Sequence, residues 1–367
     1  MSLKHFRLAK FKFGTCAKEH IRFPAYKGAA FRGGFGYAFK RVVCVVKNKT
    51  CDNCLLKQKC IYSYIFETPP PEDTEILRLY PKVPHPFVIE PPITEKQTFE
   101  PGEEFSFHLI LIGNAIDYIP YFIYTFTELG KQGIGQGRGK YELLQVEGIG
   151  LENEPVQIYN NKTQTLTNHY PIIHAHQLNH QPLTARLSSC VRENIATHNQ
   201  IPSPYEGEDE GGVENSATMS SCKWGKETLK VDNHTNHLAI SLLTPLRLRF
   251  DGHITDKIEF HVLIRNLLRR ISSLSYFHCG EKFQVDFKGL IEKAKAVNQI
   301  KSDIHWYDWK RYSTRQEEWM SLGGVTGTVS YEGDISDFML LLRLGEYVHV
   351  GKGTSFGLGK YEIVEIL

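Results

Sequence analysis

With 367 residues, 41% of them apolar and 12% aromatic, the chain is long enough for two ordinary domains, each with its own core. A net charge of +2 excludes a global polycation, so any nucleic-acid surface must come from local clusters of Lys and Arg. No apolar run approaches the roughly 20 residues that span a bilayer, and the opening M-S-L-K-H-F-R-L-A-K lacks the apolar core of a secretory signal, so a cytoplasmic protein with no membrane partner is expected.

Residues 5–16 alternate basic and apolar side chains, as a half-buried strand does. Phe6 and Leu8 share one parity and Phe11 and Phe13 the other, so a bulge near Ala9 and Lys10 is needed to bring all four to one face. The next element, Gly28 to Val43, spaces Phe31, Phe35, Phe39 and Val42 as a helix, with Arg32, Lys40 and Arg41 elsewhere on it. Its internal glycines cost up to about 1 kcal/mol each relative to alanine, which points to close backbone approach by either a sheet or an RNA backbone.

Four of the eight cysteines follow at once, Cys44, Cys51, Cys54 and Cys60. C-x-x-C presents two thiolates to one ion and the flanking pair can complete a tetrahedron, so a structural zinc is expected, with an iron–sulfur cluster as the alternative and free buried thiols as the plain reading. Four protein ligands leave no open position for substrate, so either metal would be structural. A proline-rich extended segment then leads to Pro92, a strand at 103–112, an aromatic helix from Tyr118 to Leu129, and the turn G-K-Q-G-I-G-Q-G-R-G-K-Y-E-L-L, Gly130 to Leu144.

Residues 1–150 thus read as a first domain, and 151–237 as a connector with a polar insert carrying His174, His176 and His180 and an acidic run. Regular patterning resumes in 238–367 with a strand from Leu238, then a helix from Ile258 to Phe277 with an apolar stripe. A helix from Ile335 to Leu344 and a strand at Tyr347 to Val350 precede a second glycine turn, G-K-G-T-S-F-G-L-G-K-Y-E-I-V, Gly351 to Val364. The repeated G-K-Y-E closing each half suggests one small fold used twice: α+β, with two tandem ferredoxin-like (RRM-like) domains built on antiparallel sheets, plus the small cysteine insertion. Each glycine turn can offer backbone N–H groups and lysines to phosphate, which makes Lys131, Arg138 and Lys140 candidates in the first.

The block D-W-K-R-Y-S-T-R-Q-E-E-W, running into L-L-R-L-G-E-Y-V-H-V and the last glycine loop, resembles the C-terminal half of the CRISPR precursor-RNA processing endoribonucleases of the RAMP superfamily. They form the sixth Cas family, and the match is to a bacterial subgroup with a four-cysteine cluster. Y-K-G-A-A-F-R-G-G-F-G-Y-A-F-K-R-V-V-C and P-H-P-F-V-I-E-P-P are similar to the same subgroup. The resemblance implies metal-independent cleavage of CRISPR repeat RNA. The 2′-hydroxyl attacks the adjacent phosphate and leaves a 2′,3′-cyclic phosphate and a 5′-hydroxyl, while Lys or Arg neutralises the phosphorane and a group such as His moves protons.

It also implies that the product crRNA is kept as the guide of an effector complex, so other Cas proteins are expected partners. RNA contacts are expected at Gly351, Lys352, Gly353, Ser355, Gly357, Gly359 and Lys360, at Arg32 and Arg41, and at Lys310, Arg311 and Arg315 beside aromatic residues. Many members carry a histidine in or beside the first helix; here that helix has none. Tyr37 is its exposed polar candidate, His20 and Lys40 complete the expected catalytic set with Tyr26 and Lys27 nearby, and His305 is the alternative base. A non-catalytic RAMP subunit that binds crRNA, and a zinc-stapled RNA-binding module with an unrelated partner, are the competing readings.

Overall fold

The computed structural model describes residues 3–46, 51–70, 83–152, 154–180, 237–313 and 318–366. The first half runs β1 (Arg7–Ala17), α1 (Gly28–Val43), β2 (Phe87–Glu90), β3 (Glu104–Ile112), α2 (Ile119–Gln132) and β4 (Tyr141–Ile149). Its antiparallel strands lie in the order β2-β3-β1-β4, the ferredoxin-like arrangement. The sheet is extended by β5 (Pro155–Asn160) and β6 (Thr165–Leu166), while β7 (Ile173–His174) pairs with the start of β1.

The second half repeats the plan with β8 (His237–Leu246), α3 (Phe260–Cys279), α4 (Phe287–Lys295), β9 (Asn298–Tyr307), β10 (Gly324–Glu332), α5 (Met339–Val348) and β11 (Tyr361–Ile366). Its strand order, β9-β10-β8-β11, matches that of the first sheet position for position. The α+β fold is therefore two ferredoxin-like units in tandem. Among the described residues, no helix is long and apolar enough to cross a membrane.

The double parity of β1 has a different cause from the expected bulge. Its ladder with β3 runs in step from Leu8 opposite Ile112 to Cys16 opposite Glu104. The one irregularity is against β4, at Gly14 and Thr15. Phe11 and Phe13 enter the core beneath the first domain's helices, with Phe31, Phe35, Phe122 and Phe126. Leu8, with Val88, Ile110 and Ile112, joins the second domain's core beside Leu238 and Ile240. Both parities are apolar because both faces are covered, and each fully buried Phe or Leu contributes on the order of 2 kcal/mol. The glycines of α1 also serve protein packing: a Cβ on Gly36 would lie 2.2 Å from the Phe66 ring.

The strand expected at Tyr347 to Val350 is not formed. The apolar stripe of α5 continues to Val348, and His349, at φ +59°, ends the helix. The His349 ring is buried, with Nε2 3.0 Å from Glu90 Oε1 and Nδ1 3.1 Å from the Leu358 carbonyl oxygen. Glu90, the last residue of β2, is itself buried and collects charge from both domains. Lys360 Nζ lies 3.1 Å from Oε1, Lys10 Nζ 3.4 Å from Oε2, and His108 Nδ1 3.7 Å from Oε2. Burial opposes the Glu90 charge, but the two lysines and the His349 hydrogen bond outweigh it and hold its pKa well below the ordinary value. Burial lowers the pKa of His349, and that of His108 is brought to about 3 by burial and by Lys10.

A second tie joins the halves at the end of α3. Buried His278 donates through Nε2 to the Pro84 carbonyl at 2.8 Å and accepts through Nδ1 from the Tyr64 hydroxyl, 3.2 Å away. Burial brings its pKa to about 4, so the neutral ring suits both bonds.

Replacing Glu90 with Gln leaves buried cations uncompensated and is expected to cost about 3–5 kcal/mol of unfolding free energy in a denaturant titration. The signs of the pKa shifts agree. His108, His278 and His349 take up protons more readily when unfolded, so stability falls as pH drops below their ordinary 6.5. Glu90 adds a further loss below its ordinary 4.5, as the unfolded chain's carboxyl protonates. His108 keeps a third of its side-chain surface accessible, so solvent screening reduces its share of the histidine loss. Glu90→Gln should lose the limb below 4.5 and keep the histidine limb; a variant with unchanged stability at neutral pH would contradict this assignment.

Candidate nucleic-acid interface

The second glycine loop, residues 351–360, is seated directly on the first domain. The Tyr26 hydroxyl donates to the Phe356 carbonyl at 2.9 Å, and a Cβ on Gly28, the first residue of α1, would stand 2.0 Å from that same oxygen. Gly357, at φ +84°, approaches Ile89 O and Pro91 so closely that a Cβ would lie 2.7 Å from each. These contacts explain the glycines at either end of the seat: no side chain fits. The Tyr26 ring leans on Trp309, with centroids 4.7 Å apart, and burial, then Glu90 and Tyr307, push its pKa well above the ordinary value. Tyr26 is thus a fixed donor. Lys27 is buried too, donating to Thr94 O at 2.5 Å, and burial lowers its pKa.

This seat sorts the loop residues expected to meet RNA. Ser355, Gly357 and Gly359 are buried within protein, and Lys360 is spent on Glu90. Lys352 is exposed, and its pKa is lowered by burial of its stem and by Arg249, Arg269 and Arg247 around it. Arg247, Arg249, Lys352, Gly353, Phe356 and Met320 line a cavity of about 420 Å³, and Gly351 packs over the Arg247 carbonyl. An adjoining hollow of about 370 Å³ adds Arg265, Arg269 and the exposed ring of Phe287. Like charges gathered this closely repel one another unless a polyanion joins them. The sequence carried a signal for these arginines: L-R-L-R places Arg247 and Arg249 on one side of an extended segment, and Arg265 and Arg269 are one turn apart opposite the apolar stripe of α3.

The first glycine loop differs. Lys131 pairs with Glu128 at 2.7 Å and Lys140 with Glu19 at 2.9 Å, while Arg138 is exposed at φ +56°. His20 lies against this loop, its carbonyl beside Gly139 and its exposed ring 3.5 Å from Glu100. Tyr37 and Lys40 keep other company on α1: Arg41 sits 5.9 Å from the Tyr37 ring centroid and Lys40 5.6 Å from that of Tyr62. The expected set of His20, Tyr37 and Lys40 is therefore spread over two neighbourhoods. His305 is exposed on the edge strand β9, 2.9 Å from Thr326 Oγ1, beside the half-exposed Trp306. Lys310 and Arg311 enter a two-stranded ribbon, Lys310–Ser313 with Glu318–Ser321, and Arg315 lies outside the described residues.

Arg32 is placed differently from every other cation on α1. Its guanidinium lies between the rings of Phe66, 4.1 Å away, and Phe356, 4.8 Å away, and its Nη2 is 3.0 Å from His85 Nε2. His85 belongs to the P-H-P turn before β2; with no helical or strand spacing to place it, the sequence assigned it no role.

The cysteine insertion contains the turn Cys51–Asn53 and a short helix, Ser63–Glu67. Cys51 has its pKa raised by burial, with Cys44 and Cys60 contributing and Lys40 opposing. Cys44 Sγ donates to Val46 O at 3.3 Å. Among the described residues, no three His, Cys, Asp or Glu side chains are grouped to hold a metal ion, so the four thiols as placed are not a formed tetrathiolate cage.

Two ferredoxin-like units, with the second unit's glycine loop seated on the first helix beside a basic cavity, define the class as a tandem ferredoxin-like fold with a cationic surface. Residues 240–361 match the family model for the CRISPR-associated endoribonuclease Cas6, and residues 6–171 match a model described as an N-terminal domain. The Cas6 match thus falls on the second ferredoxin-like unit. An uncharacterised protein of Archaeoglobus fulgidus is 22% identical over 358 residues, covering 95% of this chain and 97% of that one. The fold is similar to a Thermus thermophilus Cas6 in a product complex (TM-score 0.52, 12% identity, 97% of this chain and 100% of that one). It is similar to the same degree to a chain of a partial Cas6-RT-Cas1–Cas2 complex (TM-score 0.52, 11% identity), 99% of this chain matching 46% of that longer one.

Proposed function

We propose that the protein binds CRISPR repeat RNA and cleaves it without a catalytic metal, by attack of a 2′-hydroxyl on the adjacent phosphate. The observation that carries this reading is the seat of the second glycine loop on α1, with Arg247, Arg249, Arg269 and Lys352 gathered at its rim within a Cas6-type domain. Those cations would hold successive phosphates, and Phe287 and Trp306 offer exposed rings on which unpaired bases can stack. The protein would act in the cytoplasm and retain the crRNA for hand-over to other Cas proteins, in keeping with the Cas6-RT-Cas1–Cas2 assembly that shares its fold.

The second reading, a non-catalytic crRNA-binding subunit, is favoured by one observation: α1 holds no histidine, and His20 lies apart from Tyr37 and Lys40. Incubation with labelled repeat RNA in excess EDTA separates the two. Fragments ending in a 2′,3′-cyclic phosphate and beginning with a 5′-hydroxyl are expected, whereas tight binding without cleavage supports the subunit. Replacing Arg249 and Lys352 with Gln is expected to weaken RNA binding and to lower the slope of log K against log salt by about 1.4, two phosphate contacts' worth on a single strand. An unchanged slope would place the RNA elsewhere.

A structural zinc at Cys44, Cys51, Cys54 and Cys60 would require the four thiols to close into a tetrahedron, stapling the end of α1 to the turn that follows. Metal analysis decides this. About one zinc per chain, lost in Cys54→Ser with a fall in Tm, is the expected result; stoichiometric iron with visible absorption supports the cluster instead, and neither metal would leave free thiols.

A further inference from the structure

We propose that the hollow adjoining the basic cavity is a pocket for one unpaired guanine base; the proposal rests on the RNA-binding reading above and names the base selected. Arg249, Asp251, Arg265, Asn266 and Phe287 line this hollow of about 370 Å³. A site built for phosphate alone has no use for Asp251, whose charge repels a polyanion. The local backbone does not demand it either. Asp251, at φ +45°, and Gly252, at φ +87°, form the two-residue turn between the paired segments Leu248–Phe250 and His253–Thr255. With both residues left-handed, Asn serves such a turn as well as Asp.

The walls are fixed before any ligand arrives. Asn266 of α3 clamps the segment that leads into the turn: its Oδ1 accepts from Arg249 N at 3.4 Å, and its Nδ2 donates to Arg249 O at 3.2 Å and to Val262 O at 2.9 Å. Arg249 Nε donates to Gly252 O at 3.1 Å, which ties its guanidinium to the turn carrying Asp251. Arg265 precedes Asn266 on the same helix. Phe287, the first residue of α4, has an exposed ring set edge-on to that of Phe283, 6.3 Å between centroids. Asp251 and Arg265 line one hollow, yet among the described residues neither the carboxylate nor the Arg265 guanidinium has a hydrogen bond or ion pair. Arg249 also lines the first cavity, with Arg247 and Lys352, so the pocket opens beside the proposed phosphate path.

Guanine matches this set of groups. Its N1–H and N2–H are neighbouring donors that the two oxygens of one carboxylate accept together, and its O6 and N7 are the acceptor pair a guanidinium takes bidentate. Its face can stack on the Phe287 ring, as unpaired bases do on aromatic side chains. Adenine, cytosine and uracil present no such neighbouring pair of donor groups, so each would leave one Asp251 oxygen unmatched.

The test measures Kd of the full chain for short labelled oligouridine strands carrying one central guanosine, adenosine or inosine, with Tm recorded for each protein. Wild type should prefer the guanosine strand to the adenosine strand by about 5–150-fold, the discrimination of one bidentate pair. Inosine, which lacks the N2 amino group, should fall between them. Asp251→Asn keeps the turn and should bring the guanosine and adenosine strands to within about twofold of each other, since the paired acceptor is gone. Loss of the charge acts on all strands alike, so the ratio is the readout. Equal wild-type affinity for the guanosine and adenosine strands, or a folded Asp251→Asn that keeps the preference, would overturn the pocket and leave the RNA-binding reading standing. Failure to bind any of the strands would overturn both.

Discussion

The structure depends on a carboxylate with almost no contact with water. Glu90 ends the second strand of the first domain, and its two oxygens face Lys10 and His108 from that domain and Lys360 and His349 from the second. Such a group is expensive to bury and tolerable only when cations offset its charge, so it favours the arrangement that brings them together. Lys360 closes the second glycine loop and His349 precedes it. Fixing both on Glu90 fixes the loop, and Phe356 is thereby set over α1 and Arg32.

This accounts for the inequality of the two G-K-Y-E turns. Lys140 of the first lies on the surface against Glu19, exposed and weakly held. Lys360 of the second, in the same motif, is a buried interdomain ion pair. The repetition marks a shared fold, with each loop leading into a fourth strand that pairs beside the first, while the role of the matching lysine is set by what the other domain brings to it. The recognition chemistry falls to residues outside the motif: Arg247 and Arg249 after β8, Arg269 on α3, and Lys352.

Much of the architecture was legible because it is local. The spacing of Phe31, Phe35 and Phe39 gave α1, and the aliphatic stripe gave α3 to within two residues at each end. The exposed strand β9 was not, since few of its side chains are buried and no alternation betrays it. The two-faced burial of β1 was misread as a bulge because only the second domain, distant in sequence, explains why Leu8 is apolar. The site was less legible for the same reason. Arg32 and His85 are 53 residues apart and meet only once the turn before β2 folds back on α1, and a lysine in a glycine loop reads alike whether it faces phosphate or a buried carboxylate.

The seat of the second glycine loop on α1 sets the basic cavity on the proposed RNA path. A crystal structure with repeat RNA carrying a 2′-deoxy nucleotide at the cleavage position tests it most directly. The expected result is RNA at the Phe356 rim, with successive phosphates on Arg247, Arg249 and Lys352. RNA lying along β9 and the first glycine loop, with the Phe356 rim empty, would contradict it.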